Sequence, residues 1–222
     1  MKLIRFSVVA ALLATSVFAD EDRSGINVSA NMSLTSNYVW RGMTQTKDSP
    51  AIQGGVDLEY KGLYAGVWGS NVDFGVNDNN SLELDIYGGY AGEVAGIGYD
   101  VGYIQYAYPN KSDEYNFGEA YVGVSKEWDK FALSAKYSFG IETDDTNPED
   151  FYEVGASASV LPYDVGFDAS YGNYDNIGYY YSLGLNRSFE KFDLSLAYID
   201  FSHDTDSTAD EDNVVATVSF AF

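Results

Sequence analysis

The chain has 222 residues, no cysteine, 34 acidic against 12 basic side chains and a formal charge of −22. That balance excludes nucleic acid as a natural partner, and a chain without cysteine has no disulfide framework to lean on. Charge of this size often goes with disorder, but 45% hydrophobic and 16% aromatic residues supply the apolar surface that folding needs.

At the start, Lys2 and Arg5 precede an apolar run from Phe6 to Phe18, and Val17-Phe18-Ala19 is followed by Asp20-Glu21-Asp22. This pattern predicts a secretory signal peptide over residues 1–19 with cleavage after Ala19, the run being too short to span a bilayer. Losing Lys2 and Arg5 with it takes the charge from −22 to −24. No later apolar stretch is long enough for a membrane helix, so a bilayer would be crossed with strands. No linker divides residues 20–222, which read as one domain.

Ile26, Val28, Ala30, Met32 and Leu34 alternate with Asn27, Ser29, Asn31, Ser33 and Thr35, the two-residue period of a strand with one apolar face. The even phase continues into Tyr38 and Trp40, predicting an aromatic girdle at the membrane interface. The odd phase carries Arg41 to the inner side of the mouth. Similar segments follow over Ile52 to Lys61, Leu63 to Val72, Leu82 to Tyr87, Ile97 to Ile104, Glu119 to Val124 and Phe131 to Phe139. Four more run over Tyr152 to Val160, Val165 to Tyr171, Tyr179 to Asn186 and Phe192 to Tyr198. The last, Asn213 to Phe222, places Val214, Ala216, Val218, Phe220 and Phe222 on one face. An exposed apolar strand ending on an aromatic is an aggregation hazard in water but is solvated by lipid when a closed sheet pairs its backbone. The predicted fold class is therefore all-β, a transmembrane antiparallel up-and-down barrel of about twelve strands. Phe220 and Phe222 are its candidate assembly signal.

Every second connection is tight: Lys61-Gly62, Glu93 to Gly96, Trp128 to Lys130, Leu161 to Tyr163 and Phe189 to Lys191. Between them lie Gly42 to Pro50, Asp73 to Ser81, Pro109 to Asn116, Glu142 to Asp150, Gly172 to Asn176 and Phe201 to Asp212, expected to be long, polar and mostly acidic. Outer-membrane barrels put short turns in the periplasm and long loops outside, so the expected location is the bacterial outer membrane. The expected partners are its lipid and the barrel-assembly machinery.

Leu34-Thr35-Ser36-Asn37-Tyr38-Val39-Trp40-Arg41-Gly42, Pro50-Ala51-Ile52-Gln53-Gly54-Gly55 and Tyr64-Ala65-Gly66-Val67-Trp68-Gly69-Ser70-Asn71-Val72-Asp73-Phe74 carry a resemblance. With Glu83-Leu84-Asp85-Ile86-Tyr87-Gly88-Gly89-Tyr90-Ala91-Gly92 and Asp100-Val101-Gly102-Tyr103, they make the chain similar to the TorF-type porin family of proteobacteria. The likeness is dense from Leu34 to Tyr108 and looser to Phe222. It implies an outer-membrane barrel and carries no known chemistry.

In the phase set by the apolar residues, Asp57, Glu59, Glu83, Asp85, Asp100, Glu119, Glu153 and Asp168 are expected on the inner wall, opposed there by Arg41, Lys136 and Arg187. Unpaired charge is too costly for a packed interior, so this excess of acids predicts a water-reached lumen. The phase of Tyr64 and Trp68 stays open. Small hydrophilic solutes, with cations preferred, are the expected cargo of a passive channel, and no cofactor or catalysis is expected. Two other readings remain: a structural or adhesive barrel without conductance, and a barrel hydrolase using His203. The adjacent Ser202-His203-Asp204 point apart on an extended chain, so a nucleophile would have to come from another strand. Asp204 to Asp212 is rich in acids but has Ala209 where a calcium loop wants glycine, which leaves weak attraction of divalent ions to a hydrated loop.

Overall fold

The computed structural model describes residues 25–75, 78–110, 115–142 and 148–222. The expected signal peptide and its cleavage site lie outside these. Among the described residues no helix is long and apolar enough to cross a membrane.

Among the described residues fourteen strands run in chain order: β1 Asn27–Thr35, β2 Val39–Trp40, β3 Met43–Thr44, β4 Ala51–Tyr60, β5 Leu63–Asn71, β6 Leu82–Val94, β7 Ile97–Ala107, β8 Phe117–Glu127, β9 Phe131–Ile141, β10 Phe151–Ala158, β11 Val165–Tyr174, β12 Gly178–Ser188, β13 Asp193–His203 and β14 Glu211–Ala221. Twelve of them close into an antiparallel barrel in which each strand pairs with its sequence neighbours and β14 returns to β1. β2 and β3 stand apart, as a hairpin of their own. The closing seam pairs Met32 with Phe220 and Leu34 with Val218, and Ala30 and Phe222 exchange both backbone hydrogen bonds. Closure leaves no strand edge to the lipid, the condition for a sheet to cross a bilayer.

The two-residue period sorts the faces as the sequence predicts. Val28, Ile52, Val56, Leu58, Val67, Ile86, Val101, Val124, Leu133, Val154, Leu183, Leu196 and Val214 are exposed on the outer wall. The outward tyrosines Tyr152, Tyr171 and Tyr179 lie ring against ring, as do Tyr181 and Tyr198. They form an outward aromatic cluster of the kind a membrane-spanning barrel carries at its girdle. The tight turns at Lys61-Gly62 and Ala95-Gly96 have positive φ at both positions, the type I′ geometry that matches strand twist.

Three expectations are corrected. Tyr38 and Trp40 are not in the girdle: β1 ends at Thr35, the chain leaves the wall, and Tyr38 is buried inside the barrel. The link Gly172 to Asn176 is not a long loop, because β11 continues to Tyr174 and Ile177 N–H closes a tight turn on the Tyr174 carbonyl at 3.0 Å. Arg187 does not face the lumen. It pairs with Val165 and Leu194, outward residues of the neighbouring strands, so its guanidinium belongs to the outer wall.

Candidate functional site: the inward hairpin and the inner wall

The segment between β1 and β4 folds into the lumen at the long-loop end. Its tip is Trp40-Arg41-Gly42-Met43, with Trp40 paired to Met43 and φ of 50° at Arg41 and 90° at Gly42, again a type I′ turn. Gly42 is required twice over. The backbone is left-handed, and a Cβ there would lie 2.7 Å from Tyr180 Cβ and 2.9 Å from Phe201 Cβ on β12 and β13.

Short polar side chains set the base of the hairpin. Asn37 Nδ2 donates to Asn213 Oδ1 at 2.8 Å and to Asp48 Oδ1 at 3.0 Å, while its Oδ1 accepts from the hydroxyls of Thr44 and Thr46. Thr46 Oγ1 also accepts from Tyr38 N–H. Glu211 accepts Thr44 N–H at 2.8 Å, tying the hairpin to β14.

The hairpin meets the wall on several sides. Val39 and Met43 pack with Phe151, Tyr180, Ile199, Phe201 and Val215. Trp40 lies edge-on to Tyr106, Phe117 and Tyr174, and Tyr38 is edge-on to Trp68. Arg41 Nη2 donates to Glu119 Oε2 at 2.6 Å, a pair only 6% and 1% exposed. The rings of Phe151, Trp40 and Tyr174 surround the guanidinium at 4.0, 4.2 and 4.7 Å, within cation–π range. Arg41 is thus a buried anchor inside the barrel and not a residue of the open mouth.

The remaining predicted wall residues do face inward, apart from Arg187. Glu83, Asp85 and Glu119 are 1% exposed and Glu153 is 5% exposed, so the argument that an excess of acids requires water beside every one of them fails here. Phenols replace water at several. Tyr38 and Tyr108 donate to the two oxygens of Glu83 at 2.8 and 2.9 Å, and Tyr180 donates to Glu153. A hydroxyl offers a strong donor without adding charge, which is how the interior holds carboxylates with so few bases. Asp85 has no such donor among the described residues.

Toward the short-turn end the wall changes character. Asp57, Glu59, Asp100 and Asp168 are half-buried. Tyr87 donates to Asp57, Tyr64 to Asp100 at 2.7 Å, and Asn186 to Asp168, while Tyr64 and Tyr121 share a hydroxyl hydrogen bond. Tyr64 and Trp68, unassigned by phase, therefore face the lumen. The rings of Tyr87 and Tyr121 lie over Gly66 and Gly102, where any Cβ would meet them. They are thereby held flat on the wall instead of crossing the lumen. Lys136 stands beside Glu153 across the β9–β10 ladder, with its ammonium 4.3 Å from the Tyr121 ring centre.

His203 serves a loop. Its Nδ1 accepts from the N–H groups of Thr205 and Asp206 at 3.2 and 3.1 Å. In the same loop the Thr208 hydroxyl and N–H donate to Asp206 and hold its carboxyl below the usual range.

The family model that matches residues 19–222 is described as a bacterial protein of unknown function (Gcw_chp). No curated protein matches the chain. Among solved structures, the KdgM porin is similar with a TM-score of 0.60 at 9% identity, covering 87% of this chain and 99% of that one. Outer membrane phospholipase A from Escherichia coli has a TM-score of 0.55 at 13% identity, covering 86% and 92%. The COG4313 outer membrane channel from Pseudomonas putida F1 has 0.54 at 12%, covering 99% of each. At these identities the likeness is one of fold, and a fold shared by channels and a phospholipase leaves function to be argued from the interior.

Proposed function

The chain belongs to the Gcw_chp family, and from that premise and the character of the interior we propose that it is an outer-membrane porin of small bore. In this reading it is a passive channel for small hydrophilic solutes, with the 36–50 hairpin as its constriction. One observation carries the reading. In the short-turn half the inner wall is built from Ser29, Asn31, Gly55, Gly98, Gly123, Ser125, Ser134, Gly155, Ser157, Gly184 and Ser195, with its tyrosines laid flat. Eight strands already give a barrel that side chains just fill. Twelve strands walled largely by glycine and serine support a lumen wide enough to hold water.

Asp57, Glu59, Asp100 and Asp168 line that half, and ionised carboxylates there attract cations. Screening acts over about 8 Å at physiological ionic strength, so the preference is modest and fades in high salt. The resemblance of residues 34–108 to TorF-type porins supports the same function and location, and the acidic outer loops would attract divalent ions weakly. A structural barrel without conductance is the second reading, favoured by the hairpin's contacts with several walls.

Conductance of the refolded protein in a planar bilayer, with its reversal potential in a salt gradient, separates the two. A small conductance with cations permeating better supports the channel. Anion selectivity, or a folded barrel that never conducts, overturns it.

A further inference from the structure

The outer wall is not uniformly convex. A groove of about 520 Å³ crosses β11 to β14 and reaches β1, lined by Val165, Leu185, Leu194, Leu196, Ala216 and Val218, with Leu34 and Arg187 also at its walls. Its depth has a local cause. Ala216 is the one small outward side chain between the leucines of β13 and Val214 and Val218 of its own strand. Beside it the next outward residue after Leu34 is Ser36, another small side chain, whose hydroxyl accepts Ala216 N–H at 3.0 Å, so no large side chain fills the dip from that edge.

Arg187 stands at the short-turn end of this groove, in the lipid-facing phase. Its guanidinium lies 4.8 Å over the Phe189 ring. Phe189 stacks on Phe192, which reaches Phe220, an aromatic footing of the kind that marks the membrane interface. Among the described residues Arg187 forms no ion pair. An outward arginine is tolerated at the interface, and this one, without a protein counter-charge in a chain where acids outnumber bases almost threefold, is left free to take an anion from the bilayer. Guanidinium and phosphodiester match in charge and in bidentate hydrogen-bond geometry. The groove beside it is apolar and falls within the roughly 300–1,000 Å³ of ordinary ligand sites.

We propose that this groove binds one phospholipid of the periplasmic leaflet, with its phosphate on Arg187 and part of an acyl chain along Ala216. Arg187 supplies charge and the groove supplies shape, so each can be removed alone. The protein is refolded into phosphatidylglycerol vesicles, extracted in mild detergent and weighed by native mass spectrometry, with heat-modifiable gel migration reporting barrel closure. The wild type should retain one phosphatidylglycerol. Arg187→Ala should lower its occupancy roughly tenfold or more, as loss of charged hydrogen bonds implies, and Ala216→Leu should lower it while keeping the charge. Lys61→Ala and Lys126→Ala remove cations that sit on Tyr60 and Trp128 at the same rim but do not line the groove, and should change nothing. No retained lipid in the closed wild-type barrel, or equal losses in the Lys61 and Lys126 variants, would overturn the site.

Discussion

Glu119→Ala should free the hairpin without opening the barrel. The Arg41–Glu119 pair is buried at 2.6 Å with both side chains shielded from water, and removing one partner of such a pair costs about 3–5 kcal/mol because the other is left uncompensated. The three rings around Arg41 remain in the variant, so their contribution cancels in the comparison. Glu119 sits in the β8 ladder, whose backbone hydrogen bonds are indifferent to the side chain, and the loss falls on hairpin docking. At about 1.4 kcal/mol per factor of ten, the docked-to-undocked ratio should drop by about two to three and a half powers of ten. Trypsin added to the loop side of reconstituted vesicles reads this directly, because Arg41 is buried when the hairpin is docked. The variant should be cut after Arg41 under conditions where the wild type resists, while still migrating as a folded barrel. Glu119→Gln, which keeps an acceptor and loses the charge, should fall between. Equal resistance of the Glu119→Ala variant and the wild type would refute the claim that this pair holds the hairpin.

Other consequences reach different parts of the molecule. A tag inserted near Ser207 should be stained on intact cells and one at Glu190 should not, since they lie at opposite ends of the barrel; staining at Glu190 alone would reverse the orientation. Replacing Phe220 and Phe222 with Ser removes apolar outward residues from the seam with β1 and should leave the protein secreted but poorly closed, measured as loss of heat-modifiable migration. Gly102→Val drives a side chain into the Tyr121 ring and disturbs its bond to Tyr64 beside Asp100. Overpacking of this kind costs about 1–3 kcal/mol, which should appear as a lower urea midpoint for unfolding from vesicles.

The barrel was legible because a strand buried on one side writes its geometry every second residue, and lipid makes that record apolar and continuous. From Val28 to Leu34, and again from Val214 to Phe222, phase alone orients the side chains, and tight turns such as Lys61-Gly62 count the strands. Phase fails where the chain leaves the wall. Tyr38 and Trp40 keep the even numbering of β1 yet sit inside, and the signal for this was the short pattern Val39-Trp40-Arg41-Gly42-Met43-Thr44, a two-residue turn with glycine at its second position. Arg187 shows the opposite fault, since its odd numbering beside Leu185 already placed it outward. The phenol–carboxylate bonds, such as Tyr64 to Asp100 and Tyr38 to Glu83, join residues on strands far apart in sequence. They depend on barrel closure and hairpin entry together, which no local pattern encodes.

The proposed porin rests on a water-filled lower half with the hairpin narrowing the upper half, and single-channel recording of two folded barrels tests this most directly. One is the wild type and the other lacks residues 38–47, with Asn37 joined to Asp48 through a short glycine linker. The wild type should show small, cation-preferring steps, and the deletion should show several-fold larger ones with weaker selectivity. If both barrels close correctly and neither conducts, the lumen is not a channel and the account is wrong.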